Sequence, residues 1–165
     1  MPVSRKELEA IMREHVRAEG EQDYEALRGT LRDDVEYEVK APCYPDDPNP
    51  YGRFTSADVY IEMWKRLFQI FISYEIEIDD LLIDDSCRRA WVRIKATAVP
   101  REDFNGLPKG KPMNWWSAAQ CDFDDQGRMT KETVYGSFPP VMAGYNQMKA
   151  FVGRQGRAGG GAGDT

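Results

Sequence analysis

The chain has 165 residues, 41% of them hydrophobic, enough for one well-filled core and few for two. Its 22 Lys and Arg against 28 Asp and Glu give a formal charge of -6, which disfavours nucleic acid and anionic lipid as partners. No window approaches the roughly 20 apolar residues of a membrane span, and Cys43, Cys87 and Cys121 lack any Cys-x-x-Cys spacing, against both a disulfide framework and a zinc site. A cytoplasmic protein with reduced thiols is expected.

Ser4 and Glu7 have capping-box spacing and predict a first helix, on which Leu8, Ile11, Met12, His15 and Ala18 share one apolar face. The single histidine of the chain therefore faces inward. Asp23 caps a second short helix carrying Tyr24, Leu27 and Leu31, which Asp33 and Asp34 end. Val35, Tyr37, Val39 and Ala41 alternate with polar residues as one short strand, and the four prolines between Pro42 and Gly52 predict a stiff loop. Thr55 with Asp58 opens a third helix, whose Val59, Tyr60, Met63, Trp64, Leu67, Ile70 and Phe71 cover most of its circumference. Tyr74, Ile76 and Ile78 form a strand, Asp84 to Ser86 a turn, and Ala90 to Ala98 the return strand of a long hairpin.

The stretch from Gly106 to Ser137 is the most informative. Met113, Trp115, Ser117, Ala119, Cys121 and Phe123 fall on one side of a strand, with Trp116 on the other. Asp125, Gln126 and Gly127 supply a hairpin turn, after which Thr130, Glu132, Val134, Gly136 and Phe138 alternate with Lys131, Thr133, Tyr135 and Ser137. A last short helix is expected through Val141, Tyr145 and Phe151, and residues 153–165 as a disordered glycine-rich tail after a single domain over 1–152. No phosphate loop, dinucleotide fingerprint or serine-nucleophile motif is present, so neither cofactor nor metal is expected.

Helices, a short strand, a loop with a glycine, a helix and two hairpins, carried by EGEQDYEALRGTLRDDVEYEV, Gly52, FNGLPKGKPM and FDDQGRMTKETVYGS, resemble the nuclear-transport-factor-2-like superfamily in its SnoaL-like and ketosteroid-isomerase-like branches. The resemblance implies a cone-shaped α+β fold, in which a curved, mostly antiparallel sheet wraps the helices around an apolar pocket. It also implies a small apolar ligand and pairing into a homodimer across the outer sheet face, where Trp91 or Trp116 would be covered. Parts of the family chemistry do not carry over. The isomerase's protonated acid falls near Ala119 and its general base near Val39, the epoxide hydrolases' Arg and Asp pair falls at Lys95 and Thr97, and Ser137 stands where the cyclases carry an acid.

The candidates that remain are His15, Glu132 and Tyr37 for catalysis and Trp64, Trp115, Ala119 and Tyr135 for ligand binding. His15 reads equally as an acid-base or oxyanion-binding group and as a satisfied core histidine. Glu132 would be raised in pKa if it lines the pocket; a one-residue slip turns Tyr135 and Ser137 inward instead and leaves Glu132 in solvent. Tyr37 is a phenolic donor or a core tyrosine. Two functions follow: a cofactor-independent lyase, isomerase or cyclase acting on an apolar carbonyl compound, or a binding module that has lost the family's acids.

Overall fold

The computed structural model describes residues 3–40, 51–103 and 108–135. Most of the proline-rich loop, the expected last helix and the glycine-rich tail lie outside the described residues. Three helices, α1 (Arg5–Glu21), α2 (Tyr24–Gly29) and α3 (Ala57–Ile70), accompany six strands, β1 (Leu31–Lys40), β2 (Tyr51–Thr55), β3 (Phe71–Ile83), β4 (Arg89–Pro100), β5 (Met113–Phe123) and β6 (Met129–Tyr135).

The start of α1 follows from its sequence: the Ser4 side chain accepts from the Glu7 amide while the Glu7 carboxylate accepts from the Ser4 backbone, satisfying donors that the first turn leaves free. Leu8, Met12, His15, Val16, Ala18 and Glu19 form its buried face. Asp23 caps α2, as its spacing predicts, by accepting from Ala26. Three local expectations are corrected. Leu31 opens β1 instead of ending α2, because the helix stops at Gly29 and Thr30 caps it. Tyr51 to Thr55 pairs with β1 as a strand, although the prolines predict a loop through Gly52. Ser56, not Thr55, caps α3, accepting from the Val59 amide.

The strands form one sheet in the order β2-β1-β6-β5-β4-β3, antiparallel throughout except for the parallel pair of β1 and β6. The helices cover one face, α1 packing on β3 and α3 on β1 and β3, which makes the α+β fold the sequence predicts. At the β5 to β6 turn, Gly127 has φ +77°, so the backbone demands glycine, and a Cβ there would lie 2.5 Å from the end of the Ile11 side chain and displace it. Pairing settles the register the sequence left open. Glu132 stands opposite Cys121 and Val134 opposite Ala119, on the inner face, while Tyr135 stands opposite Ala118 and is exposed. Trp115 is buried and Trp116 is 54% exposed, the split that strand alternation requires.

Candidate active site

One inner-face row crosses the sheet: Phe54 opposite Tyr37, Tyr37 opposite Glu132, Glu132 opposite Cys121, and Cys121 opposite Ala90. Helices α1 and α3 lay three polar side chains over the Glu132 position of that row. His15 and Glu19 are one turn apart on α1 and both point inward, and Tyr60 comes from the first turns of α3. All are buried, Tyr60 at 0% exposure, His15 and Glu19 at 2% and Glu132 at 7%.

The four groups form one connected chain. The Tyr60 hydroxyl is 2.6 Å from Glu19 Oε1 and 2.6 Å from Glu132 Oε2. His15 Nε2 is 3.1 Å from the same Glu19 Oε1 and 3.3 Å from the Tyr60 oxygen. On the other side of the ring, Nδ1 is 2.7 Å from Thr30 Oγ1, which itself donates to the Leu27 carbonyl at 2.7 Å. Thr30 is fixed in turn, because its carbonyl accepts from the Met129 amide at 2.8 Å and ties the end of α2 to β6. A threonine hydroxyl has one hydrogen, so Nδ1 must carry a proton and donate it to Thr30. The unsettled position is Nε2, which faces a carboxylate.

Burial sets the electrostatics. It raises the Glu132 pKa to about 7, helped by the charge of Glu19 and opposed by His15 and by the Tyr60 hydrogen bond. Burial pushes His15 down, but Glu19, by charge and hydrogen bond, and then Glu132 outweigh it, and the net shift is upward. Burial and the two carboxylates hold the Tyr60 phenol well above its ordinary value, and burial first, then the same charges, keep the Cys121 thiol neutral. The result is a Glu132 carboxyl whose pKa is raised to about 7, set beside the Glu19 carboxyl, an imidazole and a phenol.

The sequence candidates divide. His15 and Glu132 are brought together through Tyr60. Both ring nitrogens of His15 are engaged internally, as the core-histidine reading expects, yet with a carboxylate and a phenol and not with carbon. Tyr37 borders the cluster, stacked on Phe54 at 4.9 Å and edge-on to Tyr60 at 5.4 Å; Tyr37 and Phe54 are half-buried. Ala119 lies in the same core. Trp64 and Trp115 belong to an adjoining aromatic group around Tyr74, where the buried Trp64 Nε1 has no hydrogen-bond partner among the described residues. Tyr135 lies on the outer face, stacked on Trp91 at 5.6 Å. Glu19 and Tyr60 are the members that sequence reasoning missed. The signal for Glu19 was its position four residues after an inward His15, which continues the buried stripe of α1; nothing local distinguished Tyr60 from a core tyrosine.

His15, Glu19 and Glu132 also present ligand atoms within 4.8 Å of one another, a donor set that a metal ion accepts. The Tyr60 hydroxyl stands between the two carboxylates, so their oxygens are already held by hydrogen bonds. A separate groove of about 440 Å³ runs between α1 and β3 past Arg13, Arg17, Gly20, Tyr74 and Glu77, and none of the four cluster residues lines it.

The family model of the SnoaL-like domain matches residues 12–132, a span that contains the whole cluster. Among curated proteins no match is found. Solved structures similar to the chain include AclR from Streptomyces galilaeus (20% identity, TM-score 0.65, covering 84% of this chain and 84% of that one). A SnoaL-like polyketide cyclase from Agrobacterium tumefaciens is similar at 18% identity and TM-score 0.60 over 86% of this chain and 97% of its own. An epoxide hydrolase from M. tuberculosis is similar at 14% identity and TM-score 0.58 over 86% and 89%.

Proposed function

The chain belongs to the SnoaL-like domain family, and on that premise we propose that it is a cofactor-independent enzyme that moves a proton on a small apolar, carbonyl-bearing substrate, as a lyase, isomerase or cyclase. The observation that carries this reading is the buried Glu132 carboxyl, 2.6 Å from the Tyr60 hydroxyl and paired across the sheet with the half-buried Tyr37, which is stacked on Phe54; burial raises its pKa to about 7. Ionised, Glu132 takes a proton from the carbon beside the carbonyl; protonated, it returns one. Tyr37 and Phe54 offer aromatic faces to a planar substrate. His15 serves as the charge behind the site and Tyr60 as the link to it. One of the similar structures is named a SnoaL-like polyketide cyclase, and that name supports the cyclase form of this reading.

The test is hydrogen exchange. A bicyclic ketone such as α-tetralone is incubated with the protein in D2O and its α-hydrogens are followed by NMR. The wild type is expected to exchange them about 100-fold or more faster than Glu132→Gln. Equal rates in the two proteins refute a catalytic Glu132.

A second reading, a binding module without chemistry, draws support from the internal satisfaction of both His15 nitrogens and of the Tyr60 hydroxyl. Saturable binding of the ketone with no exchange by the wild type would favour it. We further propose a homodimer across the outer sheet face, supported by exposed Trp91, Trp116 and Leu82 on that side. A monomer by sedimentation at micromolar concentration contradicts this.

A further inference from the structure

At His15 Nε2 the hydrogen bonds of the cluster do not close. Thr30 Oγ1 gives its only hydrogen to the Leu27 carbonyl, so Nδ1 of the ring carries a proton and donates it to Thr30. In a neutral imidazole that leaves a lone pair on Nε2, aimed at Glu19 Oε1 across 3.1 Å. The Tyr60 oxygen meets the same difficulty. It lies 2.6 Å from Glu19 Oε1 and 2.6 Å from Glu132 Oε2 but has one hydrogen to give, so one of those contacts also joins two acceptors. Acceptors held this close in a buried site repel each other unless positive charge stands between them. With both carboxylates ionised, two negative charges are left to balance.

One divalent ion among the four side chains answers each of these demands. Zinc binds histidine nitrogen and carboxylate oxygen at about 2.0–2.2 Å in a tetrahedron, which sets its donor atoms about 3.3 Å apart. His15 Nε2 already stands at that spacing, 3.1 Å from Glu19 Oε1 and 3.3 Å from the Tyr60 oxygen. The donor atoms of His15, Glu19 and Glu132 all lie within 4.8 Å of one another, and the two 2.6 Å contacts of Tyr60 need open by less than about 1 Å. The support that a zinc-binding histidine needs behind it is also present. Nδ1 is tied to Thr30, whose hydroxyl is held by Leu27 and whose carbonyl accepts from the Met129 amide at the start of β6, so the ring is aimed from both the helices and the sheet. One imidazole and two carboxylates suit zinc better than calcium or magnesium, which take six or more oxygen ligands.

We propose that His15, Glu19 and Glu132 are the ligands of a zinc site, with the Tyr60 oxygen at its fourth corner. The ion ties α1 and α3 to β6, since the donors come from all three elements. It also occupies the Glu132 carboxylate that proton transfer needs free, so the zinc-loaded protein is a closed form and the metal-free protein the one that acts on substrate. The site stands on the arrangement of the four side chains and is measured without substrate. Its failure therefore leaves the proton-transfer reading intact, and failure of ketone exchange in metal-free protein leaves the zinc site intact.

Protein stripped of metal with a chelator is titrated with zinc chloride by calorimetry at constant pH, and with cobalt(II), whose visible absorption becomes intense in a four-coordinate site. One ion per chain is expected, with the cobalt band and a thermal midpoint that rises with zinc concentration. The chain contains one histidine, so its imidazole gives a single set of NMR resonances. Zinc should move the Nε2 signal most and leave Nδ1 protonated. Glu19→Gln and Glu132→Gln, each shown to be folded by circular dichroism, should bind zinc at least about tenfold more weakly. No uptake at micromolar zinc overturns the proposal, and so does an affinity that neither substitution changes. Uptake that leaves the His15 resonances unmoved places the ion elsewhere in the chain, the cysteines included, and overturns it too. Should either variant fail to fold, the His15 resonances of the wild type decide the matter alone.

Discussion

Replacing Glu132 by glutamine should make the protein more stable, and only at neutral to alkaline pH. The substituted amide keeps the shape and can donate to the Tyr60 oxygen as the protonated acid does, but it never acquires a charge. In the wild type the folded-state pKa of Glu132 lies at about 7 against an ordinary value of 4.5. A raised carboxyl pKa means that the folded state holds its proton more tightly. The stability it confers is fully present below the unfolded value and is lost as pH rises through the folded one. The gap between 4.5 and about 7 corresponds to about 3 kcal/mol. His15 is shifted upward too, and Glu132 is one of the charges that raise it, so the substitution also lowers the His15 contribution and narrows the gap where His15 titrates. Urea unfolding of wild type and Glu132→Gln should therefore coincide at pH values of about 4.5 and below and diverge to about 3 kcal/mol by about pH 8, with the variant the more stable. In a thermal melt that gap is on the order of 6–12 °C. A stability difference that does not change with pH, or a variant less stable under alkaline conditions, refutes the picture of a carboxyl held neutral by its surroundings.

Other expectations follow from single contacts. Glu19→Gln removes the main partner that raises His15, so the imidazole midpoint should fall in an NMR titration. Gly127→Ala should cost more than about 1 kcal/mol in urea unfolding, because alanine meets both the positive φ and the Ile11 side chain. Ser4→Ala removes one half of the capping box on α1 and should cost about 1 kcal/mol, measured the same way.

The fold was legible because its local rules agree. A capping box and a one-sided stripe marked α1, apolar residues around most of the circumference marked α3 although its cap is Ser56 and not Thr55, and alternation marked β3 to β6, including the opposite faces of Trp115 and Trp116. Strand β2 was hidden by the prolines that precede it, since its partner lies in β1 and pairing is invisible to a local pattern. The site was half legible. His15 is placed by helix period alone, whereas Glu132 and Tyr135 could exchange faces until the pairing of Glu132 with Cys121 fixed the register. Glu19 and Tyr60 gain their meaning from contacts across 41 and 72 residues of sequence, Tyr60 to Glu19 and Tyr60 to Glu132. A buried tyrosine on an apolar helix looks the same whether its hydroxyl meets one carboxylate or two.

The central claim is that the helices and sheet hold Glu132 as a neutral acid that exchanges its proton near physiological pH. The most direct measurement is the side-chain carboxyl carbon of Glu132, resolved by difference against Glu132→Gln in protein labelled at glutamate carboxyls, and titrated by NMR. A midpoint at about 7 is predicted. A midpoint near the ordinary value of 4.5 would leave Glu132 an ionised structural carboxylate and contradict the account.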